Sequence, residues 1–309
     1  MTRLSADARG VYVIAVTPFD ERGVLDLESV DRMVDFYADA GADGLTLLGM
    51  MGEAPKLTTA ESSQLVDRVI ARAGNMPVVV GVSAPGFAAM KDLTHSVMEA
   101  GAAGVMIAPT AGLKTDDQIV AYYQMAGDVL GADVPIVVQD FPLSTNVHFS
   151  NAALGRIVES VPSIVMLKHE DWPGLSKIEA LRVAENAGRR RISILTGNGG
   201  IFLPEEIERG ADGAMTGFAY PEMMVDVCRL CAEGQRERAQ DVFDAYLPLA
   251  RYEQQPGSGL AVRKYVMARR GVIASATLRR PGPVLSSADV ADIEWLIGRQ
   301  EKKLKEIGA

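Results

Sequence analysis

Lys168 stands at the end of an apolar, β-branched run, Ile164 to Leu167, and is the one lysine of the chain placed in that way. Burial disfavours a charged amine, and the neutral amine is the form that attacks a carbonyl, so a lysine at such a strand end suits Schiff-base chemistry. From position alone the plainer alternative is a snorkelling strand-end residue paired with Glu53 or Glu170. His169, Glu170 and Asp171 follow directly. Side chains alternate along a strand, so Lys168 and Glu170 are expected on one inner face and His169 towards a helical layer, which makes Glu170 a candidate acid or base. A second candidate is GMMGE (49–53), where Gly49 and Gly52 let the backbone approach a ligand closely and consecutive N–H groups can hold a carboxylate. The three histidines, His95, His148 and His169, have no ligand spacing on a single helix or hairpin, so no metal is expected.

Eight short apolar runs must position these residues: VYVIAVT (11–17), GLTLLG (44–49), PVVVGVS (77–83), GVMIAP (104–109), VPIVVQD (134–140), SIVMLKH (163–169), ISILTG (192–197) and GAMTG (213–217). Their starts lie roughly 20 to 33 residues apart, room each time for a strand, a loop and a helix. Continuous rather than alternating apolar runs fit parallel strands covered by helices. Between them, Leu27, Val30, Val34 and Tyr37 repeat with helical period. AGADG (40–44), AGAAG (100–104) and GADGA (210–214) mark a recurring helix-to-strand turn. The pattern predicts an α/β chain: a (β/α)₈ barrel over residues 1–233, with an open doubly wound sheet as runner-up, and a C-terminal helical extension over 234–309. Helices are expected there at 235–252, 259–270 and 287–306. In such a barrel, chemistry belongs to the C-terminal ends of the strands, where Gln139, Asp140, Lys168, Glu170, Gly197 and Thr216 all lie.

Composition narrows the function classes. With 31 basic against 40 acidic residues the net charge is −9, the wrong sign for nonspecific binding to nucleic acid. No apolar run approaches a membrane span, and the opening MTRLSADARG has no apolar signal core, so a cytoplasmic protein is expected. Cys228 and Cys231 lie in a stretch with helical pattern and read as neighbours on one helix face rather than as a redox pair.

Taken in order, these segments resemble the dihydrodipicolinate synthase and N-acetylneuraminate lyase family. GLTLLGMMGEAPKLTTAE resembles its G-x-x-G-E loop, VPIVVQDFP its Tyr-Asn-x-Pro strand, and SIVMLKHED its Schiff-base lysine strand. The likeness starts at TPFDERGVLDLESVDRMVDFYADAGADGL and runs through GADGAMTGFAYP into the helical tail. It implies a TIM barrel with a C-terminal helical domain, a homotetramer, and action on pyruvate or another 2-oxo acid without metal or organic cofactor. Lys168 would then form the imine, and Met50 and Met51 would offer backbone N–H groups to the substrate carboxylate within a loop bounded by Gly49, Gly52 and Glu53. The GNGG (197–200) and TGFAYP (216–221) loops, with Gly197 and Thr216, are expected in the pocket wall.

The chain departs from the pattern in several places. Met50 and Met51 replace the usual Thr or Ser pair, which makes the pocket more apolar. Gln139 replaces the tyrosine that relays protons, and an amide cannot act as both donor and acceptor of a proton near neutral pH. PTAGLK (109–114) lacks the tyrosine that synthase members lend across a subunit interface, and Ser144 stands where synthases place an arginine. Dihydrodipicolinate synthesis itself is therefore not expected. The reading is a Schiff-base lyase, with aldol cleavage or condensation placed ahead of dehydration of a 2-oxo-3-deoxy sugar acid. Asp140, Glu170 or an ordered water are the candidates for the lost relay. The alternatives are a catalytically weakened member that binds a 2-oxo acid, and a barrel using the GNGG and TGFAYP loops for a sugar phosphate.

Overall fold

The computed structural model describes residues 3–171 and 174–308. Strands and helices alternate from the start: β1 (Gly10–Ile14), α1 (Leu27–Asp39), β2 (Gly44–Leu47), α2 (Thr59–Ala73), β3 (Val78–Gly81), α3 (Phe87–Ala100), β4 (Gly104–Ile107) and α4 (Asp116–Leu130). The second half continues with β5 (Ile136–Asp140), the short α5 (Pro142–Thr145), α6 (Asn151–Ser160), β6 (Ile164–His169), α7 (Leu175–Asn186), β7 (Ser193–Thr196), α8 (Leu203–Glu208), β8 (Gly213–Ala214) and α9 (Pro221–Ala232). Each strand pairs in parallel with the next, and β8 returns to β1 through Gly10 opposite Gly213 and Val11 opposite Ala214. The sheet is thus a closed barrel, and the open-sheet alternative is excluded.

Alternation along the strands sorts the apolar side chains into two cores. Outward residues such as Val11, Val13, Leu45, Leu47, Val105 and Ile107 pack under the helices in one continuous cluster. Tyr12, Ile14, Val79, Met106, Val137, Met166, Leu195 and Met215 fill the barrel itself, with Leu4 and Ala103 completing this inner cluster. Full burial of each such side chain contributes about 1.5–3 kcal/mol, so the barrel is a packed interior rather than a pore. The helices begin where the sequence satisfies their first N–H groups: Thr58 with Glu61, Thr115 with Gln118 and Ser286 with Asp289 form reciprocal capping boxes.

One irregularity matters for the site. Ile136 pairs with Ile164 but Val137 pairs with Met166, so Val165 is an extra residue in β6. This bulge resets the phase of the strand, and Lys168 then lies beside Gln139 in register.

After α9 the chain turns over residues 233–235 into α10 (Arg236–Glu253), followed by α11 (Gly259–Arg269) and α12 (Ser287–Ile307), each within one residue of its expected bounds. α10 packs against α8, α9, α11 and α12, which joins the helical extension to the barrel wall. Cys228 and Cys231 are free thiols on α9, and burial pushes the Cys228 thiol up to about 12.

Glu206 on α8 is buried with one carboxyl oxygen unpartnered. Burial raises its pKa from 4.5 to about 7, against the opposing effects of the Thr196 hydroxyl and His169. The folded state therefore holds this proton more tightly than the unfolded chain, and the stability it confers is lost as pH rises from 4.5 through 7. Glu206→Gln is expected to match the parent in urea unfolding near pH 4.5 and to exceed it by roughly 2–3 kcal/mol at pH 8. An equal difference at both pH values would remove the titration as its cause.

Candidate active site

The bulged register of β5 and β6 turns Gln139 and Lys168 into the barrel mouth, above the apolar layer of Val137 and Met166. Glu170 follows two residues later on the same side. Its Oε2 lies 3.0 Å from Lys168 Nζ and accepts a hydrogen bond of 2.7 Å from Gln139 Nε2. All three side chains are buried. A carboxylate thus touches the one lysine that lines the cavity among the described residues, and an amide holds that carboxylate in place.

Gly197, at the end of β7, explains how Glu170 fits. A Cβ at that position would fall 2.2 Å from Glu170 Cγ, so the missing side chain is the space the glutamate occupies. Gly197 thus acts by leaving room for Glu170. Thr216, after β8, accepts a hydrogen bond from Gly199 N at 2.8 Å and fixes the loop beyond β7. Asn198 in that loop has φ of +50°, a left-handed conformation that asparagine tolerates, and its Nδ2 reaches the Glu170 carbonyl at 3.3 Å.

A cavity of about 90 Å³ opens on this group, lined by Lys168, Glu170, Gln139, Met50, Met51 and Thr216 among others. Met50–Gly52 forms one 3₁₀ turn, whose first N–H groups have no partner within the turn. Gly52 is buried, and its carbonyl accepts the Thr17 hydroxyl at 2.6 Å. Gly49 packs against Ile14, where a Cβ would sit 3.4 Å from Ile14 Cγ2. Ser144 Oγ meets Met50 Sδ at 3.1 Å beside the mouth.

Two residues proposed from sequence are placed elsewhere. Asp140, the neighbour of Gln139, necessarily points to the other face of β5. There its Oδ2 pairs with Lys177 Nζ at 2.8 Å in the helical layer, away from Lys168, so it is not positioned to replace the relay. His169 shares that outer layer, with Nε2 at 3.0 Å from the Gly174 carbonyl. Glu53 is likewise absent from the cavity lining. Its carboxylate is taken by Lys264 Nζ at 2.6 Å, Lys56 Nζ at 2.8 Å and the Arg279 backbone N–H at 3.1 Å. Burial pulls the Lys264 ammonium down to about 8 even with Glu53 beside it. Glu53 therefore braces the GMMGE loop against the C-terminal segment from outside the cavity lining.

Sequence reasoning missed two lining residues from the helical extension, Gln254 and Arg263. Arg263 is buried, pairs with Glu253 Oε1 at 2.5 Å and donates to the Gly217 carbonyl. Neither follows a strand or a glycine-rich loop, so no local signal announces them. Only the docking of α10 and α11 brings them there.

A sequence model of the dihydrodipicolinate synthetase family matches residues 7–296. The chain belongs to that family. It is 31% identical over 283 residues to the L-2-keto-3-deoxyarabonate dehydratase of Azospirillum brasilense, covering 90% of this chain and 89% of that protein. It is 30% identical over 248 residues to the 4-hydroxy-tetrahydrodipicolinate synthase of Thiobacillus denitrificans, covering 78% and 80%. The crystal structure of the dihydrodipicolinate synthase from Rhodopseudomonas palustris superposes with a TM-score of 0.95 at 51% identity, over 97% of this chain and 100% of that one. As a member of the dihydrodipicolinate synthetase family, the protein is an enzyme of the lyase and dehydratase class.

The steric relation of Gly197 to Glu170 gives a test. Gly197→Ala is expected to push the carboxylate off Lys168 and lower kcat at least about tenfold, while borohydride still traps pyruvate on Lys168. An unchanged kcat would show that the Glu170 position is not critical.

Proposed function

We propose that the protein is a Schiff-base lyase for a 2-oxo acid, and that its reaction is the elimination of water from a substrate bearing a hydroxyl at C4. The observation that carries this reading is the Glu170 carboxylate 3.0 Å from Lys168 Nζ. Lys168 would attack the C2 carbonyl, and loss of water would leave an iminium. Its nitrogen would then be bonded to C2, so a base beside that nitrogen is within reach of the C3 proton. Removing the proton gives an enamine, whose electron pair expels the C4 hydroxyl. Glu170 returns the proton to the departing hydroxyl, which leaves as water, and a second water hydrolyses the conjugated imine to regenerate Lys168.

A single carboxylate serving both steps requires that proton and hydroxyl leave from the same side. Glu170 is the one carboxylate lining the cavity among the described residues. Aldol cleavage, the second reading, would begin instead with removal of the proton from the C4 hydroxyl. The named dehydratase among the relatives supports the elimination as well. Met50 and Met51, at the start of their turn and at the cavity wall, are the expected partners of the substrate carboxylate. No organic cofactor enters the steps. Family membership supports a homotetramer as the assembly, and sedimentation of the purified protein measures it.

Lys168→Ala is expected to lose the borohydride-trapped pyruvate adduct and all turnover; turnover in that variant would sink the covalent mechanism. Glu170→Gln keeps the shape and removes the base, so it should retain trapping and lose about 10²- to 10⁴-fold in kcat. Product analysis separates the two lyase reactions. Elimination keeps every carbon in one molecule, whereas release of pyruvate and an aldehyde would replace it with the aldol reading.

A further inference from the structure

One wall of the cavity comes from outside the barrel. Gln254, the residue that caps the end of α10, lies against the loop after β7, where a Cβ on Gly199 would fall 2.1 Å from its Nε2. Its side-chain amide has no hydrogen-bond partner among the described residues. Asn198 lines the same wall, and only its Nδ2 is engaged. Behind them, Arg263 has its charge matched by Glu253, while its buried Nη1 has no partner.

The charge balance of this wall restricts what it can take. Lys168 is paired with Glu170 and Arg263 with Glu253, and every other residue lining the cavity is uncharged. A substrate has one carboxylate at C1, next to the carbonyl that reacts. A second carboxylate at the far end would enter a buried site with no unpaired cation to meet it, which costs several kcal/mol. Hydroxyl groups, by contrast, both donate and accept, and match the free amide of Gln254 and the free Oδ1 of Asn198.

We propose that Gln254 and Asn198 form a subsite for the tail of the substrate, and that the tail is uncharged and hydroxylated, as in a monocarboxylic 2-oxo-3-deoxy sugar acid. The inference rests on the Lys168 imine reading. Gln254 makes the helical extension a determinant of substrate choice.

The test compares two 2-oxo-3-deoxy acids of equal chain length, one ending in a hydroxymethyl group and one in a carboxylate, with wild-type protein and Gln254→Ala. Pyruvate has no tail, so borohydride trapping of pyruvate on Lys168 is run beside it to read the imine alone. Wild type is expected to favour the hydroxymethyl acid by at least about tenfold in kcat/KM. Gln254→Ala should raise KM for that acid about fivefold, the loss of one neutral hydrogen bond, while trapping of the tail-less pyruvate is retained. Gln254→Met, which keeps the length and packing of the side chain and removes its amide, should act in the same direction and guards against a folding defect in the first variant. Equal or better use of the dicarboxylic acid would overturn the proposal. So would an unchanged KM in both variants, or trapping of pyruvate without turnover of either acid. Absence of trapping with pyruvate would instead overturn the imine reading beneath it.

Discussion

A buried amine and a buried carboxylate in contact at the mouth of an apolar barrel set the terms for the rest of this molecule. Taking either charge out of water alone costs several kcal/mol, and the pair is tolerable only where geometry and further hydrogen bonds are good. The structure meets that condition from three directions. Gln139 donates to Glu170 from the neighbouring strand, Gly197 leaves the volume the glutamate needs, and the β5–β6 register sets Lys168 beside Gln139. Where the family pattern has a phenol, this chain has an amide that cannot move protons but can orient a group that does.

A second set of buried charges ties the helical extension to the barrel. Lys264 of α11 reaches Glu53 in the loop after β2, and Arg263 of the same helix reaches Glu253 and the Gly217 carbonyl after β8. Glu253 in turn accepts from Ala219 N at 3.1 Å. Two neighbouring residues on one helix thus hold two separate strand-end loops. Because breaking a buried pair leaves an uncompensated charge, the extension and the catalytic face are coupled in stability.

The barrel was legible because its signal is repeated: eight β-branched runs with glycine turns between them leave few other architectures. Lys168 and Glu170 were legible together because strand alternation puts them on one face. The same rule applied to β5 turns Asp140 outward once Gln139 faces inward, towards Lys177 in the helical layer. Glu53 misled for a different reason. Its place in a ligand-like loop suggested contact with a substrate, but its partners, Lys264 and Arg279, lie more than two hundred residues away in sequence. Gln254 and Arg263 were invisible on the same ground, since helix docking rather than any local pattern brings them to the cavity.

The extra residue in β6 has a meaning beyond geometry. Val165 is taken up as a bulge, so Ile164 faces the helices while Met166, two residues on, faces the barrel. Were Val165 paired in ordinary alternation instead, the imidazole of His169 would face the barrel while the lysine turned towards Asp140 and Lys177 beneath the helices. The way one residue is accommodated therefore separates a barrel that presents an amine from one that presents an imidazole.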